Sequence, residues 1–412
     1  MFMMSYRCVI DEKRCVRCRF CEEVIYCPLE YDGCIGCEAC SKGCPYDARQ
    51  VIKKLEPKLI RVEIDGSSVM VPEDITIKRA LELAGFKFTK FPDKKWLFAP
   101  CEVGGCYSCI VTANGKAVRS CVTPIHDGMV ISTKSFETYK PIRVIHGPSP
   151  HTVGGKATPW WLKSRSYYIE VAIWAGGCNL RCPQCQNYST TYDGRTKPLT
   201  PQEAATMVTR ERRFWGVDRM AISGGEPTLN RRWLVEYFKE LKRLNADPEA
   251  RLHLDSNGTI LTKDYIDELV DVGVTDIGVE PKGVTIQTFM RITGIEEQSI
   301  AEMYLKTAWE AVEYIVERYS EKVFLGVGLP YNKALISLEE VISFGEKISS
   351  IDPELQLCVL DYFPTFKRRD IKRPQPAEML KVKKVLEECG LKTVIVQTSI
   401  GHFGPEKGRF TS

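Results

Sequence analysis

Eighteen of the 412 residues are cysteine, and their spacing restricts what this chain can fold into more than any other feature. C-x2-C pairs dominate, which is the pattern of metal ligands rather than of a disulfide framework. The whole chain has five histidines, so mixed Cys/His zinc sites are disfavoured. Iron–sulfur clusters are the first reading and all-cysteine zinc sites the alternative. Fifteen of the cysteines fall into three groups, and each group has its own spacing.

The first group is "CVRCRFCEEVIYCPLEYDGCIGCEACSKGCP", Cys15 to Pro45. It holds C-x2-C-x2-C twice, each run followed by Cys-Pro, as in bacterial ferredoxins where the fourth cysteine of a run serves the other cluster. On that rule Cys15, Cys18, Cys21 and Cys44 hold one [4Fe–4S] cluster, and Cys34, Cys37, Cys40 and Cys27 hold a second. The loop before Cys27 is longer than the usual three residues. Cys8 lies outside the pattern and reads as a buried or free thiol. The second group has Cys101, Cys106 and Cys109 at C-x4-C-x2-C, with Cys121 as a distant fourth ligand. That is the plant-type [2Fe–2S] spacing. Hairpin turns are expected at Asp65-Gly66 and Asn114-Gly115, with a short helix at "TIKRALELAG" ended by Gly85. Hairpin, helix, cysteine loop, hairpin is the order of a β-grasp ferredoxin. The segment resembles the [2Fe–2S] domains of iron hydrogenases and of the large peripheral subunit of NADH dehydrogenases.

The third group, "GGCNLRCPQCQN", has only Cys178, Cys182 and Cys185. A cuboidal cluster normally takes four thiolates, so one iron is left without a cysteine. The apolar run "SYYIEVAIWA" precedes the loop and reads as a strand. Downstream, strands at "RMAIS", "RLHL", "DIGV", "KVFLGVG" and "LQLCVL" alternate with helices. These helices are expected at Arg231 to Leu244, Lys263 to Val272, about Glu302 to Tyr319, from Ser337, and at Ala377 to Cys389. Capping boxes are expected at Thr200 with Glu203 and at Ser337 with Glu340. Repeated βα units imply a parallel sheet, open or curved into a barrel, with ligands at the C-terminal strand ends. The cysteine loop lies at that end. So does "SGGEP", Ser223 to Pro227, where glycine backbone can approach an anion and Glu226 offers a carboxylate to a cation. An α-amino acid moiety carries both charges.

C-x3-C-x2-C after the first strand with GGEP after the second resembles the radical S-adenosylmethionine (SAM) superfamily. The resemblance runs from about Tyr167 to Gln397. It is nearest to pyruvate formate-lyase activating enzymes and activase-like relatives, through "CNLRCPQCQN", "SGGEPTL", "DSNG", "EPKG", "RITG" and "DYFPTFKRRDIKRPQP". It implies a partial (βα)6 barrel whose Cys178, Cys182 and Cys185 hold a [4Fe–4S] cluster. SAM would chelate the open iron and be cleaved by one electron to methionine and a 5′-deoxyadenosyl radical, which abstracts a substrate hydrogen. It also implies SAM contacts from Gly224, Gly225, Glu226 and Pro227, from Asp255, Ser256 and Asn257, and from Lys282. Two departures stand out. Gln184 replaces the usual aromatic before the third cysteine, and the ferredoxin-type region precedes the radical motif instead of being inserted after it.

The expected organisation is α/β. A 2[4Fe–4S] ferredoxin-like α+β domain spans 1–56, a β-grasp [2Fe–2S] domain 57–133, a linker 134–164 and the radical SAM domain 165–412. The N-terminal clusters would relay electrons from a low-potential donor, ferredoxin or flavodoxin, to the radical cluster. The favoured target is a protein or peptide. A small metabolite is the alternative, and an electron-transfer subunit without radical chemistry is a reading of another class. Methyl transfer is a weaker one. Some residues keep ordinary readings open: Lys282 as a solvated loop lysine, Asp255 in an Asx-turn, and Cys358 and Cys389 as packing residues. The basic loop Phe366 to Pro374 reads as solvated surface or as a contact for an acidic partner. Trp160 and Trp161 would dock the linker or line a channel. Fifty-seven basic against 53 acidic residues give a net charge of +4, too balanced to argue for nucleic acid or membrane. No apolar run reaches a membrane span and no export signal is apparent, so a cytoplasmic, oxygen-avoiding protein is expected.

Overall fold

A computed structural model describes residues 5–27, 33–54, 57–93, 95–134, 138–163 and 166–405. Pro28 and the expected boundaries at 56, 164, 165 and 412 lie outside the described residues. The chain forms two compact units. The first comprises residues 1–145 together with 175–179 and 187–200; the second comprises 146–174, 180–186 and 201–412.

In the first unit, an antiparallel ladder of Ser5–Ile10 and Arg49–Lys54 flanks the two cysteine runs. Each run carries a single helical turn, Phe20–Glu23 or Ala39–Gly43. A five-stranded sheet follows. Leu59–Ile64 and Ser67–Pro72 form a hairpin through Asp65 and Gly66, both at positive φ. Ile110–Ala113 and Lys116–Arg119 form another through Asn114 and Gly115, also both at positive φ. Two successive positive-φ residues make the turn whose twist matches the strands, which is why Asp-Gly and Asn-Gly stand there. Ile60, Val62 and Ile64 alternate inward and bury against Ile77, Ala80 and Leu81 of the helix Ile77–Leu83. Thr76 caps that helix, its side chain accepting from the Arg79 amide at 3.1 Å. Val130–Ser132 completes the sheet between the hairpins. This is the β-grasp order, with the Cys101–Cys109 loop carried ahead of the second hairpin.

The second unit is built on nine strands in strict sequence order. They are Ile145–His151, Glu170–Ala175, Arg219–Gly224, Arg251–Ser256, Asp276–Val279, Phe324–Tyr331, Gln356–Asp361, Thr393–Thr398 and Gly401–Phe403. From Arg219–Gly224 to Thr393–Thr398 the neighbours run parallel, and the last pair is antiparallel. Helices link the strands, and right-handed crossovers between strands in sequential order put those helices on one face of the sheet. Sequential parallel order with open edges is a partial barrel. The helix Arg231–Leu244 shows why the pattern is regular: Trp233, Leu234, Tyr237, Phe238 and Leu241 make one buried stripe, and Asn230 caps its start. Among the described residues no helix is long and apolar enough to cross a membrane.

Two expectations need correction. Within the stretch expected to be a linker, Ile145–His151 is a strand of the large sheet, and the segment after it is threaded into the strands. Arg219 donates to the Ala157 carbonyl at 3.0 Å, and Gln356 to the carbonyls of Lys156 and Thr158 at 2.7 and 2.9 Å. A Cβ at Gly326 would strike the Lys156 carbonyl, and one at Gly328 would strike the Lys156 side chain. The glycines that make "VGGKAT" look like a spacer, and those on the receiving strands, are what permit the close approach. Trp160 fixes the far end, its amide donating to the Gln356 side chain at 2.8 Å, while Trp161 stays exposed. The second correction is Ser337 with Glu340. Ser337 does accept from the Glu340 amide, but the Glu340 carboxylate turns away to accept from the amides of Val284 and Thr285 and the Thr285 hydroxyl. The box is half made because a tertiary use takes the acid.

Gly326→Ala is therefore expected to lower stability by about 1–3 kcal/mol, the usual cost of overpacking. Anaerobic denaturant titration would read it, with iron content unchanged.

Candidate active site

The first unit holds the twelve N-terminal candidate ligand cysteines in three sets. Cys15, Cys18, Cys21 and Cys44 line one cavity of about 380 Å³. Arg49 donates to the Cys21 sulfur at 2.9 Å, and the Ala48 amide to the Cys44 sulfur at 3.3 Å. Cys37 lies within electrostatic range of Cys40, Cys27 and Cys34, and the Cys8 amide donates to the Cys34 sulfur at 3.2 Å. Cys8 itself is buried. Cys101, Cys106, Cys109 and Cys121 are all buried; Cys121 feels the other three, and Cys106 feels Cys101 and Cys109. N–H donors aimed at sulfur suit thiolates that carry a cluster's charge. The donor sets fit two [4Fe–4S] clusters and one [2Fe–2S] cluster. Among the described residues no three ligating side chains close on a single ion's position.

The third cysteine loop leaves the strand Glu170–Ala175 through Gly176 and Gly177, the latter at positive φ. In the second unit its later part is pinned by backbone bonds. The Arg181 amide donates to Thr293 at 2.8 Å, and the amides of Lys367 and Arg368 both donate to the Pro183 carbonyl, at 3.0 and 3.1 Å. Gln184 is fully buried and donates to the Ile292 carbonyl at 2.9 Å. Gly294 closes the helix Ile286–Thr293 at positive φ, where a Cβ would meet the Arg181 carbonyl at 2.5 Å. "RITG" and the basic loop are thus the struts of the cysteine loop. The basic loop is not simply solvated surface, since Phe366 is buried and its two next amides are used. Burial pushes the Cys182 thiol up to about 12, against the pull of the Lys282 ammonium. Metal coordination would remove that proton outright.

Glu226 is fully buried. Its Oε1 accepts from the Thr228 amide, the Thr228 hydroxyl and the Ser256 hydroxyl at 3.0, 2.6 and 2.8 Å, and its Oε2 accepts from the Asn257 amide at 2.7 Å. It staples the end of Arg219–Gly224 to the end of Arg251–Ser256. Gly224, at the strand's last position, and Gly225 are set by that staple to offer backbone, and Pro227 starts a buried turn. Asn257 makes the local Asx-type turn, accepting from the Thr259 amide and hydroxyl.

Asp255 and Lys282 belong to a second, charged group. Lys156 reaches Asp255 at 3.3 Å and Glu280 at 3.8 Å. Lys282 pairs with Glu280 and donates to the Tyr362 hydroxyl at 3.1 Å. It is buried, not a solvated loop lysine. His253 lies 3.3 Å from Asp255 and 3.5 Å from Glu170. Burial alone would raise the Asp255 carboxyl, but Lys156 and His253 hold it well below the usual range. Burial alone would lower the Lys282 ammonium, but Glu280 holds it well above its ordinary value. Lys156, Glu170, His253, Glu280 and Tyr362 were not among the expected site residues. For Glu170 and His253 the signal was an ionisable residue inside an apolar strand, as in "IEVAIWA" and "RLHL"; Lys156, Glu280 and Tyr362 carried none. Cys358 is buried beside the Lys156 carbonyl, and Cys389 packs on Gly345.

The family model described as Radical SAM superfamily matches residues 173–339, and the one described as 2Fe-2S iron-sulfur cluster binding domain matches 57–135. A probable GTP 3′,8-cyclase of Methanococcus aeolicus is 32% identical over 117 residues, 28% of this chain and 38% of the relative. An NADH-quinone oxidoreductase component of Mycobacterium bovis is 36% identical over 81 residues, 19% of this chain and 10% of the relative. The chain thus spans well under half the length of either relative. Among solved structures, Streptococcus suis SuiB bound to S-adenosylmethionine aligns over 51% of this chain and 44% of its own, at 16% identity and a TM-score of 0.40. The chain carries a radical SAM domain and, ahead of it, a [2Fe–2S] cluster-binding domain of the ferredoxin type.

Proposed function

We propose that this chain is a radical SAM enzyme with its own electron relay, acting on a small polar metabolite. The observation that carries the substrate class is the buried charged group Lys156, Asp255, Glu280, Lys282 and Tyr362, with Cys182 beside Lys282. Asp255 stands opposite Gly278 in register, and a Cβ at Gly278 would strike its carboxylate. These groups therefore share one face of the sheet, the face a substrate would meet. Fixed charges of both signs suit a compact ligand that carries its own charges. Relatives named as GTP 3′,8-cyclases point the same way.

When bound by Cys178, Cys182 and Cys185, a [4Fe–4S] cluster with SAM would supply the one-electron cleavage of the sulfonium that yields the abstracting radical. The chain's own residues do the rest. Glu226 fixes the GGEP turn, Lys282 offers positive charge beside the cluster loop, and Tyr362 with Glu280 holds that lysine in place. The protein or peptide target draws less support. The "DYFPTFKRRDIKRPQP" segment that suggested an activase is occupied in bracing Pro183. A ferredoxin or flavodoxin is the proposed donor.

The test is anaerobic reconstitution with SAM and dithionite, with 5′-deoxyadenosine quantified by mass spectrometry. Deoxyadenosine release should rise on adding the dialysable fraction of a cell extract. A rise only with the protein fraction would reverse the substrate class.

A further inference from the structure

The first unit holds three cluster sites and the first residues of the radical loop, so its internal contacts bear on the order of the relay. Gly105 sits between two ligands of the [2Fe–2S] site. A Cβ there would meet the Gly177 nitrogen at 2.5 Å and the Gly176 carbonyl carbon at 2.6 Å. In return, a Cβ at Gly177 would meet the Cys106 nitrogen at 2.9 Å and the Cys101 sulfur at 3.2 Å. Gly177 is bonded directly to Cys178. Backbone lies on backbone here only because both residues lack side chains. The contact is held by Arg143, which donates to the Gly176 carbonyl at 3.1 Å, and by the Val144 amide, which donates to Gly105 at 3.3 Å.

The second ferredoxin-type site also touches the [2Fe–2S] site. Cys37 and Cys121 line one cavity of about 340 Å³. Glu102, next to Cys101, pairs with Lys42 of the second cysteine run at 3.2 Å and with Lys78 at 3.2 Å. Cys21 of the first set feels Cys40 of the second, and each set has one exposed ligand, Cys18 in the first and Cys27 in the second. A competing route also exists, because a Cβ at Gly43 would meet the Tyr192 ring at 3.0 Å. Tyr192 is seven residues beyond the last radical-loop cysteine, whereas Gly177 adjoins the first. The Gly105–Gly177 contact adjoins a cluster cysteine at both ends, Cys106 and Cys178, whereas the Gly43–Tyr192 contact adjoins one only at Cys44.

We infer that the [2Fe–2S] site is the last station before the radical loop, the electron crossing at the Gly105–Gly177 contact. It is fed from the ferredoxin-type sites, the second of which lies beside it. This rests on the radical SAM reading above. In each hop a single electron moves and no bond or proton does. With clusters bound by these cysteines, the electron balance would be one electron lost by a low-potential donor protein and one gained by the centre that Cys178, Cys182 and Cys185 would hold.

The test uses the full chain with all clusters reconstituted. In frozen, fully reduced wild-type protein, the paramagnetic resonance signals of the [2Fe–2S] and radical-loop centres should broaden or split each other. Gly105→Ala should keep its iron yet slow reduction of the radical-loop centre by reduced flavodoxin by an order of magnitude or more. Two independent signals in the wild type would overturn the inference, and so would an unchanged rate in an iron-replete Gly105→Ala. If that variant does not fold, the wild-type spectrum decides alone. Deoxyadenosine made with dithionite in the same sample shows that the radical reading stands, so lost coupling then counts against the route only.

Discussion

Cys182→Ala is expected to abolish deoxyadenosine formation and to remove about four irons per chain, while the protein stays folded with its other clusters. Three thiolates are the fewest that leave one iron open without losing the cluster. Two would not hold it. The substitution should be mild for the fold because the loop is pinned by its neighbours and not by the thiol. Arg181 holds Thr293, Gln184 holds Ile292, and Pro183 accepts from Lys367 and Arg368. The buried thiol is itself disfavoured as an anion, with its proton held up to about 12, so alanine removes no charge the fold depends on. Mass spectrometry gives the nucleoside, iron analysis the cluster count, and paramagnetic resonance the survival of the relay signals. Deoxyadenosine at the wild-type rate from Cys182→Ala would take the loop out of the chemistry. Loss of every cluster together would mean instead that the variant reports on folding.

Much of this was legible in the sequence, for identifiable reasons. Cysteine ligands of one cluster lie close together along the chain, so their spacing survives without a structure. Helix Arg231–Leu244 was readable because its cap and its apolar stripe are both local. Both hairpins were readable because Asp65-Gly66 and Asn114-Gly115 are the residues their turns require. What was not legible depends on partners distant in sequence. Lys156 meets Asp255 and Glu280 across about a hundred residues, and nothing near any of them announces the meeting. Composition made residues 134–164 look like a spacer, since glycine marks flexibility and close packing alike. The decisive fact was on the other side, in Gly278, Gly326 and Gly328. Glu340 shows the same limit: the local rule assigns its carboxylate to the helix start, and the fold gives it to Val284 and Thr285.

Asp255→Ala should be the most damaging single change in the barrel outside the cysteines, at about 3–5 kcal/mol, the cost of stripping one partner from a buried charge group. It would leave Lys156 and His253 facing each other's charge without the carboxylate between them. The pH dependence separates this ionic effect from lost packing. Burial disfavours the imidazolium of His253, but Asp255 and Glu170 outweigh it and carry the group from 6.5 up to about 9. Neither ring nitrogen meets the geometry of a hydrogen bond, so the attraction is ionic, acting over 3.3 and 3.5 Å. A group protonated more readily in the folded state stabilises fully below its unfolded value, and that stabilisation is lost as pH rises through the folded one. Wild-type stability should therefore fall by about 3 kcal/mol between roughly pH 6.5 and 9. The depressed carboxylates lose their own contribution only in acid, outside this window. In Asp255→Asn, which keeps the shape, the alkaline decline should shrink by half or more, because the largest attraction on the imidazolium is gone. Anaerobic denaturant midpoints across that range would show it. A wild-type profile flat from neutral to alkaline pH would mean that His253 is neutral in the folded protein, and that the group is held by hydrogen bonding of Lys156 and Lys282 alone.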